Sequence, residues 1–281
     1  FRVTPIATDH SAFDAAMLLV EADGQRILYT GDVQRHGRKG ALVERLVRRP
    51  PKDIDVLVIE GTNLGQDKPT CSEDTLDAEF VGLLRRTMGR VFVEWSAQNV
   101  DRTVTLYRAA KRTGRTLVVD RIADGTRLPR PGWPHLRVVV TARLARRFRT
   151  IGRGDFVERM ARSRCSARGL GPQDVVMVRE SLLPDLAHAD IRPTPSDAYV
   201  HSQWSGYLRE RPAVHDWVLS GGASVHAIHT SGHASPADLR AIAAAVAPRV
   251  VIPVHGEAWD RDGKGFGPLR RLTDGEAMIL A

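Results

Sequence analysis

The sequence predicts an α/β protein whose parallel strands each end on a polar residue. Three observations lead there. Short apolar runs alternate with helix-length segments between residues 90 and 120, the pattern of strand–helix–strand units. A capped helix over 236–247 is followed at once by the apolar run Val250–Val254. Histidines or acids stand directly after several of these runs, among them His10, Asp32, Glu60 and His255.

Along the chain, 3–7 and the apolar run 15–20 flank Asp9-His10-Ser11, and 26–30 is strand-like and runs into Gly31-Asp32. The apolar strand 54–59 ends in Glu60-Gly61-Thr62-Asn63. Thr70-Cys71-Ser72-Glu73 reads as a capping box opening a helix whose Leu76, Phe80, Leu83, Leu84 and Met88 share one face. A short strand at 90–93, a helix at 99–113 ended by Gly114, and a strand at 116–120 follow. The Pro/Gly-rich stretch 128–134 marks a loop, 136–140 is a strand candidate, and from Val225 the opening pattern returns.

Ser235 is a good N-cap, Pro236 suits the first helical position, Asp238 completes a capping-box-like pattern, and Pro248 cannot continue the helix. Ser231, Gly232 and His233 therefore precede a helix N-terminus, where free N–H groups and the helix dipole favour an anion such as phosphate. The run Val250–Val254 reads as a buried strand delivering His255 at its end. The candidate constellation is His10, Asp32, Glu60, His233 and His255. Imidazole nitrogen with carboxylate oxygen suits zinc or a related divalent ion.

These motifs, in this order, resemble those of metallo-β-lactamase-fold hydrolases of the β-CASP group, ribonuclease J among them. Asp9-His10-Ser11 is similar to that family's third metal motif and Thr30-Gly31-Asp32 to its fourth. Glu60-Gly61-Thr62-Asn63 resembles motif A, Ser231-Gly232-His233-Ala234 motif B, and Pro253-Val254-His255-Gly256-Glu257 motif C. Ser96-Ala97-Gln98-Asn99-Val100-Asp101-Arg102 is similar to a helix start of the inserted domain, and Leu272-Thr273-Asp274-Gly275-Glu276 to the strand turn that closes the lactamase fold. The resemblance implies a partial metallo-β-lactamase (αββα) fold at 1–74 and 223–281 with an inserted α/β β-CASP domain at 75–222. The family's His-x-His-x-Asp-His signature appears nowhere in this sequence. The expectation is therefore that the chain is the C-terminal portion of a longer protein, lacks the first sheet, and is inactive and weakly metal-binding alone.

For the complete protein the resemblance implies two divalent ions, zinc favoured and manganese the alternative, that assist hydrolysis of a phosphodiester. It places His10 on one ion, His255 on the other and Asp32 between them. It assigns Glu60 to orienting a ligand histidine, His233 to the phosphate or its leaving oxygen, and Ser231 and Ser235 to holding phosphate. The expected partner is a single-stranded nucleic acid, RNA favoured, with a homodimer as the candidate assembly and the cytoplasm as the location. Two other classes stay open: a non-catalytic nucleic-acid-binding relative, and a small-molecule hydrolase on the same core.

Composition agrees with a globular chain. At 281 residues and 42% hydrophobic content it can bury a sizeable core, and a net charge of +8 favours polyanionic partners. Arginines between Arg143 and Arg168 interleave with Leu144, Phe148, Ile151, Phe156 and Met160, which fits amphipathic helices with a solvated face as well as a nucleic-acid wall. Cys71 and Cys165 lie outside any CxxC pattern, so neither a disulfide framework nor a cysteine zinc site is expected. The stretch 241–254 is broken by Pro248 and Arg249, which argues against a membrane span. Arg153-Gly154-Asp155 is read as a chance triplet, 61–68 lacks Walker spacing, and Trp204-Ser205-Gly206 lacks the first glycine of a nucleophile elbow. Trp204 and Tyr207 are expected to pack in the interior, with base stacking as the alternative.

Overall fold

The computed structural model describes residues 1–66, 70–120, 136–139, 142–161 and 164–280, the first three of the 142–161 segment by backbone alone. The expected loop at 128–134 lies outside them. The chain forms two compact units, Phe1–Ser72 with Ser231–Ala281, and Glu73–Thr230. The first opens with β1 (Arg2–Ala7), β2 (Ala16–Ala22), β3 (Gln25–Tyr29), helix α1 (Gly40–Arg48) and β4 (Val56–Glu60). The second carries α2 (Glu73–Arg86), β5 (Val91–Glu94), α3 (Val100–Arg112), β6 (Thr116–Val119) and β7 (Arg137–Val139). It continues with α4 (Ala142–Thr150), α5 (Gly154–Ala161), β8 (Arg164–Cys165), β9 (Asp174–Met177), α6 (Leu183–His188), β10 (Ala198–His201), α7 (Gly206–Glu210), α8 (Ala213–Ser220) and β11 (Ser224–Ala227). The chain then returns to the first unit with α9 (Pro236–Val246), β12 (Val250–Val254) and α10 (Trp259–Asp262).

The first unit holds a five-stranded sheet in the order β1-β2-β3-β4-β12. β2 runs antiparallel to both of its neighbours, whereas β3, β4 and β12 are mutually parallel. Four of the five strands therefore point the same way, and the residues that follow β1, β3, β4 and β12 emerge at one sheet edge. Leu28, Leu57 and Ile59 pack with Val43 and Leu46 of α1 and with Leu239 and Ile242 of α9. β12 differs from the expected buried strand: only Val251 is buried, because β4 lies on one side and a single bridge to Leu269 on the other. The segment expected to close the fold makes the turn, with Glu276 donating its N–H to the Thr273 carbonyl, but no strand flanks it among the described residues.

The second unit is built on seven strands in the order β11-β10-β5-β9-β6-β7-β8, every neighbouring pair parallel. Strands covered on both faces are largely apolar, and every residue of β9 and β10 is buried, with the polar Asp174 and His201 at strand ends. β11 pairs with β10, so this unit continues to Thr230, beyond the return expected at 223. Leu76, Phe80, Leu83 and Leu84 form the buried face of α2, as the periodicity predicts. Met88 is not part of it; the helix ends at Arg86 and Met88 stands 79% exposed beyond the end. Phe148 packs on Phe156 while Arg146, Arg147 and Arg149 face solvent. Trp204 and Tyr207, expected inside, are 54% and 39% exposed. No helix among the described residues is long and apolar enough to cross a membrane.

A charged pair holds the two leading helices of this unit together. Arg102, with no exposed side-chain surface, binds Glu73 at 3.0 Å and donates to the carbonyls of Ser202 and Ile228 at 3.3 Å each. Thr105 donates its hydroxyl to Glu73 at 2.5 Å. Deleting one side of a buried ion pair strands the other charge at a cost of roughly 3–5 kcal/mol. Arg102→Ala should therefore lower the urea unfolding midpoint far more than Arg108→Ala on the same helix.

Candidate metal centre

Asp32, Glu60 and His255 reach the shared edge because they follow β3, end β4 and follow β12, three adjacent parallel strands. His10 arrives three residues after β1. His233 comes from the loop before α9. The structure brings Asp32, Glu60 and His233 closest: each offers a ligand atom, and the three atoms lie within 4.8 Å of one another. His255 joins through Asp32, its Nδ1 3.0 Å from the Asp32 carboxylate. His10 stands beside the group, its ring 5.8 Å from that of His233 and its Nδ1 2.8 Å from the Gly232 carbonyl. The sequence places His10, Asp32 and His255 at the centre with Glu60 and His233 outside; among the described residues the donor atoms within 4.8 Å of one another are those of Asp32, Glu60 and His233.

Glu60 is completely buried, and its carboxylate is accordingly saturated. One oxygen accepts the Val33 N–H at 2.8 Å, and the other accepts Thr62 N–H at 3.3 Å and His233 Nδ1–H at 3.0 Å. Burial pushes the His233 pKa down, but the hydrogen bond to Glu60 and the charges of Glu60 and Asp32 outweigh it and leave the imidazole above its ordinary value. All three histidines have Nδ1 against an oxygen acceptor, Gly232 O, Glu60 or Asp32. A carbonyl or carboxylate can only accept, so Nδ1 carries the proton and each Nε2 is left with its lone pair in the neutral ring. The Asp32 carboxylate with the Nε2 atoms of His10 and His255 so oriented fits a zinc-type divalent ion in kind.

The loop around His233 is stitched by Asn63, quoted above only within a motif, and by His36, which the sequence reading passed over. The Asn63 side-chain amide donates to Ser231 Oγ at 3.1 Å and to the carbonyls of His233 and Ala234 at 2.8 and 3.2 Å. His36 donates from Nε2 to the Ser231 carbonyl at 2.7 Å. Both serine hydroxyls are engaged: Ser231 Oγ with Asn63 and the His233 N–H, Ser235 Oγ with Asp238 as the helix cap. The phosphate-holding part expected of Ser231 and Ser235 does not follow from these positions; their hydrogen bonds shape the loop. Asp9 does comparable work beneath His10. Its buried carboxylate accepts from Gly37 N at 2.9 Å and Lys39 N at 3.2 Å, and burial raises its pKa against these bonds. No spacing rule marks Asn63 or His36; only the three-dimensional approach of 60–63 to 231–235 reveals them.

Comparison with known proteins agrees with this architecture. A protein-family profile described as a Zn-dependent metallo-hydrolase RNA specificity domain matches residues 222–260. The chain is 28% identical over 275 residues to ribonuclease J of Mycobacterium tuberculosis, covering 91% of this chain and 47% of the relative. It is 23% identical over 273 residues to ribonuclease J of Helicobacter pylori, covering 92% of this chain and 38% of the relative. The chain thus spans less than half the length of these curated relatives. A crystal structure of an Enterococcus faecalis V583 protein of unknown function superposes with a TM-score of 0.73 at 19% identity, covering 99% of this chain and 64% of that one. The chain is similar to ribonucleases J, and its α/β architecture is of the metallo-β-lactamase type with a second α/β unit inserted.

His255 is the most exposed member of the cluster, and its placement depends on a glycine. It sits at φ +48°, and its carbonyl accepts Gly61 N–H at 2.7 Å and Trp259 Nε1–H at 3.3 Å. A Cβ on Gly61 would lie 2.3 Å from the buried Trp259 indole. Gly61→Ala should therefore displace Trp259 and loosen His255. The expected outcome is a loss of about 1–3 kcal/mol in thermal unfolding and zinc affinity weaker by about tenfold in an isothermal titration.

Proposed function

We propose that this chain carries the hydrolytic edge of a divalent-metal-dependent phosphodiesterase acting on single-stranded nucleic acid, RNA in preference to DNA. The observation that carries the reading is the convergence of Asp32, Glu60 and His233 within 4.8 Å at one sheet edge, with His255 bonded to Asp32 and His10 beside them. The order of the motifs and the names of the relatives, ribonucleases J, supply the substrate class. The net charge of +8 suits a polyanion.

His10, Asp32 and His255 are the residues proposed to hold metal, each histidine through Nε2. A bound divalent ion supplies Lewis acidity toward the phosphate and activates water as the nucleophile. Glu60 fixes the tautomer and direction of the His233 ring through the Nδ1 hydrogen bond. With Nδ1 so held and its pKa raised, His233 can present an Nε2 proton to a phosphate oxygen or to the departing hydroxyl. The positive end of the α9 helix dipole favours the same negative charge.

The test is single-turnover cleavage of single-stranded RNA and DNA, with metal content measured on the same samples of intact protein. His233→Ala is expected to lose roughly 10²–10³ in rate while keeping its metal. Asp32→Asn is expected to lose both. Full activity of His233→Ala on both substrates would reduce the Ser231–Ala234 motif to a structural role and remove the main support for this function.

A further inference from the structure

Trp204 and Tyr207 lie just after β10, at the C-terminal edge of the seven-stranded sheet. Open parallel sheets bind ligands at that edge. More than half of the Trp204 surface faces solvent, and with Tyr207 beside it the two rings form one exposed aromatic pair. Both rings are nonetheless fixed in place. They meet edge to face, with centroids 5.5 Å apart at 88°. The indole rests against Gly206, where a Cβ would come within 2.2 Å of its ring atoms, so any side chain there would push the ring away. The Trp204 carbonyl accepts Tyr207 N–H at 3.1 Å and His201 Nε2–H at 3.2 Å. His201 is itself buried at the end of β10, its other nitrogen 3.3 Å from the Tyr199 hydroxyl, which donates to Glu94 at 2.6 Å. The backbone that carries the exposed indole is thus tied to the end of β10 through His201, Tyr199 and Glu94.

The surroundings favour an anionic ligand. The Arg211 guanidinium lies 5.6 Å over the Tyr207 ring, and among the described residues neither Arg209 nor Arg211 forms an ion pair. Glu210 is the one acid of this short helix. Two rigid rings with unpaired arginines form a patch far smaller than a stable protein interface, which needs about 800 Å² on each partner. The patch does match one unpaired nucleotide, with a π-face for the base and cations for its phosphates.

We propose that Trp204, with Tyr207 and Arg211, is a stacking platform for an unpaired base of the nucleic acid, an inference that rests on the single-stranded substrate proposed above. Stacking tolerates any base, because every base has a π-face, so the platform selects for unpaired strand rather than for sequence. His201 is a positioning residue for it.

The test is fluorescence-anisotropy binding of a labelled oligouridine, and of an abasic strand with the same length and phosphates, to the unmodified chain, Trp204→Ala and Trp204→Phe. Circular dichroism checks that the variants are folded. Trp204→Ala is expected to weaken oligouridine binding by about tenfold or more and to leave the abasic strand unaffected, while Trp204→Phe retains most of the affinity. Equal oligouridine affinity in the unmodified and Trp204→Ala chains overturns the platform but leaves the nucleic-acid function standing. Failure of the unmodified chain to bind either strand overturns both. A changed molecular mass in sedimentation for Trp204→Ala, with RNA affinity intact, assigns the face to a protein contact and likewise overturns the platform.

Discussion

A carboxylate removed from water must have its oxygens hydrogen-bonded or it will not stay charged, and Glu60 is where this fold meets that demand. Three donors answer it: the Val33 and Thr62 amides and the His233 ring. Each ties a different segment to the end of β4. Val33 belongs to the loop after β3 that carries Asp32, and Thr62 begins the turn that carries Asn63. Val33 in turn accepts Ala234 N–H at 2.6 Å, so the loop before α9 is bound to the same point twice. An apolar residue at position 60 would leave these donors without their common acceptor.

The same economy explains the histidines. Each has one nitrogen committed to an oxygen of the fold, Gly232 O for His10, Glu60 for His233 and Asp32 for His255. Fixing Nδ1 sets both ring direction and tautomer before any ligand arrives, which lowers the ordering cost of binding. His255 accepts a left-handed backbone to do so, a conformation that branched and bulky residues avoid and that recurs at functional positions. Rigid elements set the edge, and short loops held by side-chain amides set the last few ångströms.

The second unit solves a different problem with related means. The central strands of its sheet are buried on both faces, so polar groups at their ends must be paired inside the protein. Arg102 with Glu73 does this between two helices, and Arg115 does it without an acid, donating to the carbonyls of Leu84, Thr87, Gly89 and Pro172. Burial lowers the Arg115 pKa, yet four carbonyl dipoles keep the guanidinium solvated by the chain itself. Beside this closed interior, the open face of Trp204 and Tyr207 stands out as surface shaped for contact rather than for packing.

Local signals in the sequence determined much of this. The apolar runs give the strands, the Ser235-Pro236 cap gives α9, the Asn99 cap gives α3, and the polar residues after each run give His10, Asp32, Glu60 and His255 their common edge once the strands are parallel. These features act over a few residues, so they are legible without a fold. What the tertiary structure alone decided acts across long separations. Asn63 meets Ser231 and His233 only because β4 and β12 are neighbours. The hydroxyls of Ser231 and Ser235 are consumed by partners that no spacing rule supplies. Trp204 is outside rather than inside because Gly206 and the His201 bond hold it at the rim of a sheet whose interior is already filled. Periodicity reports which residues would prefer to be buried; the space left by the rest of the chain decides which of them are.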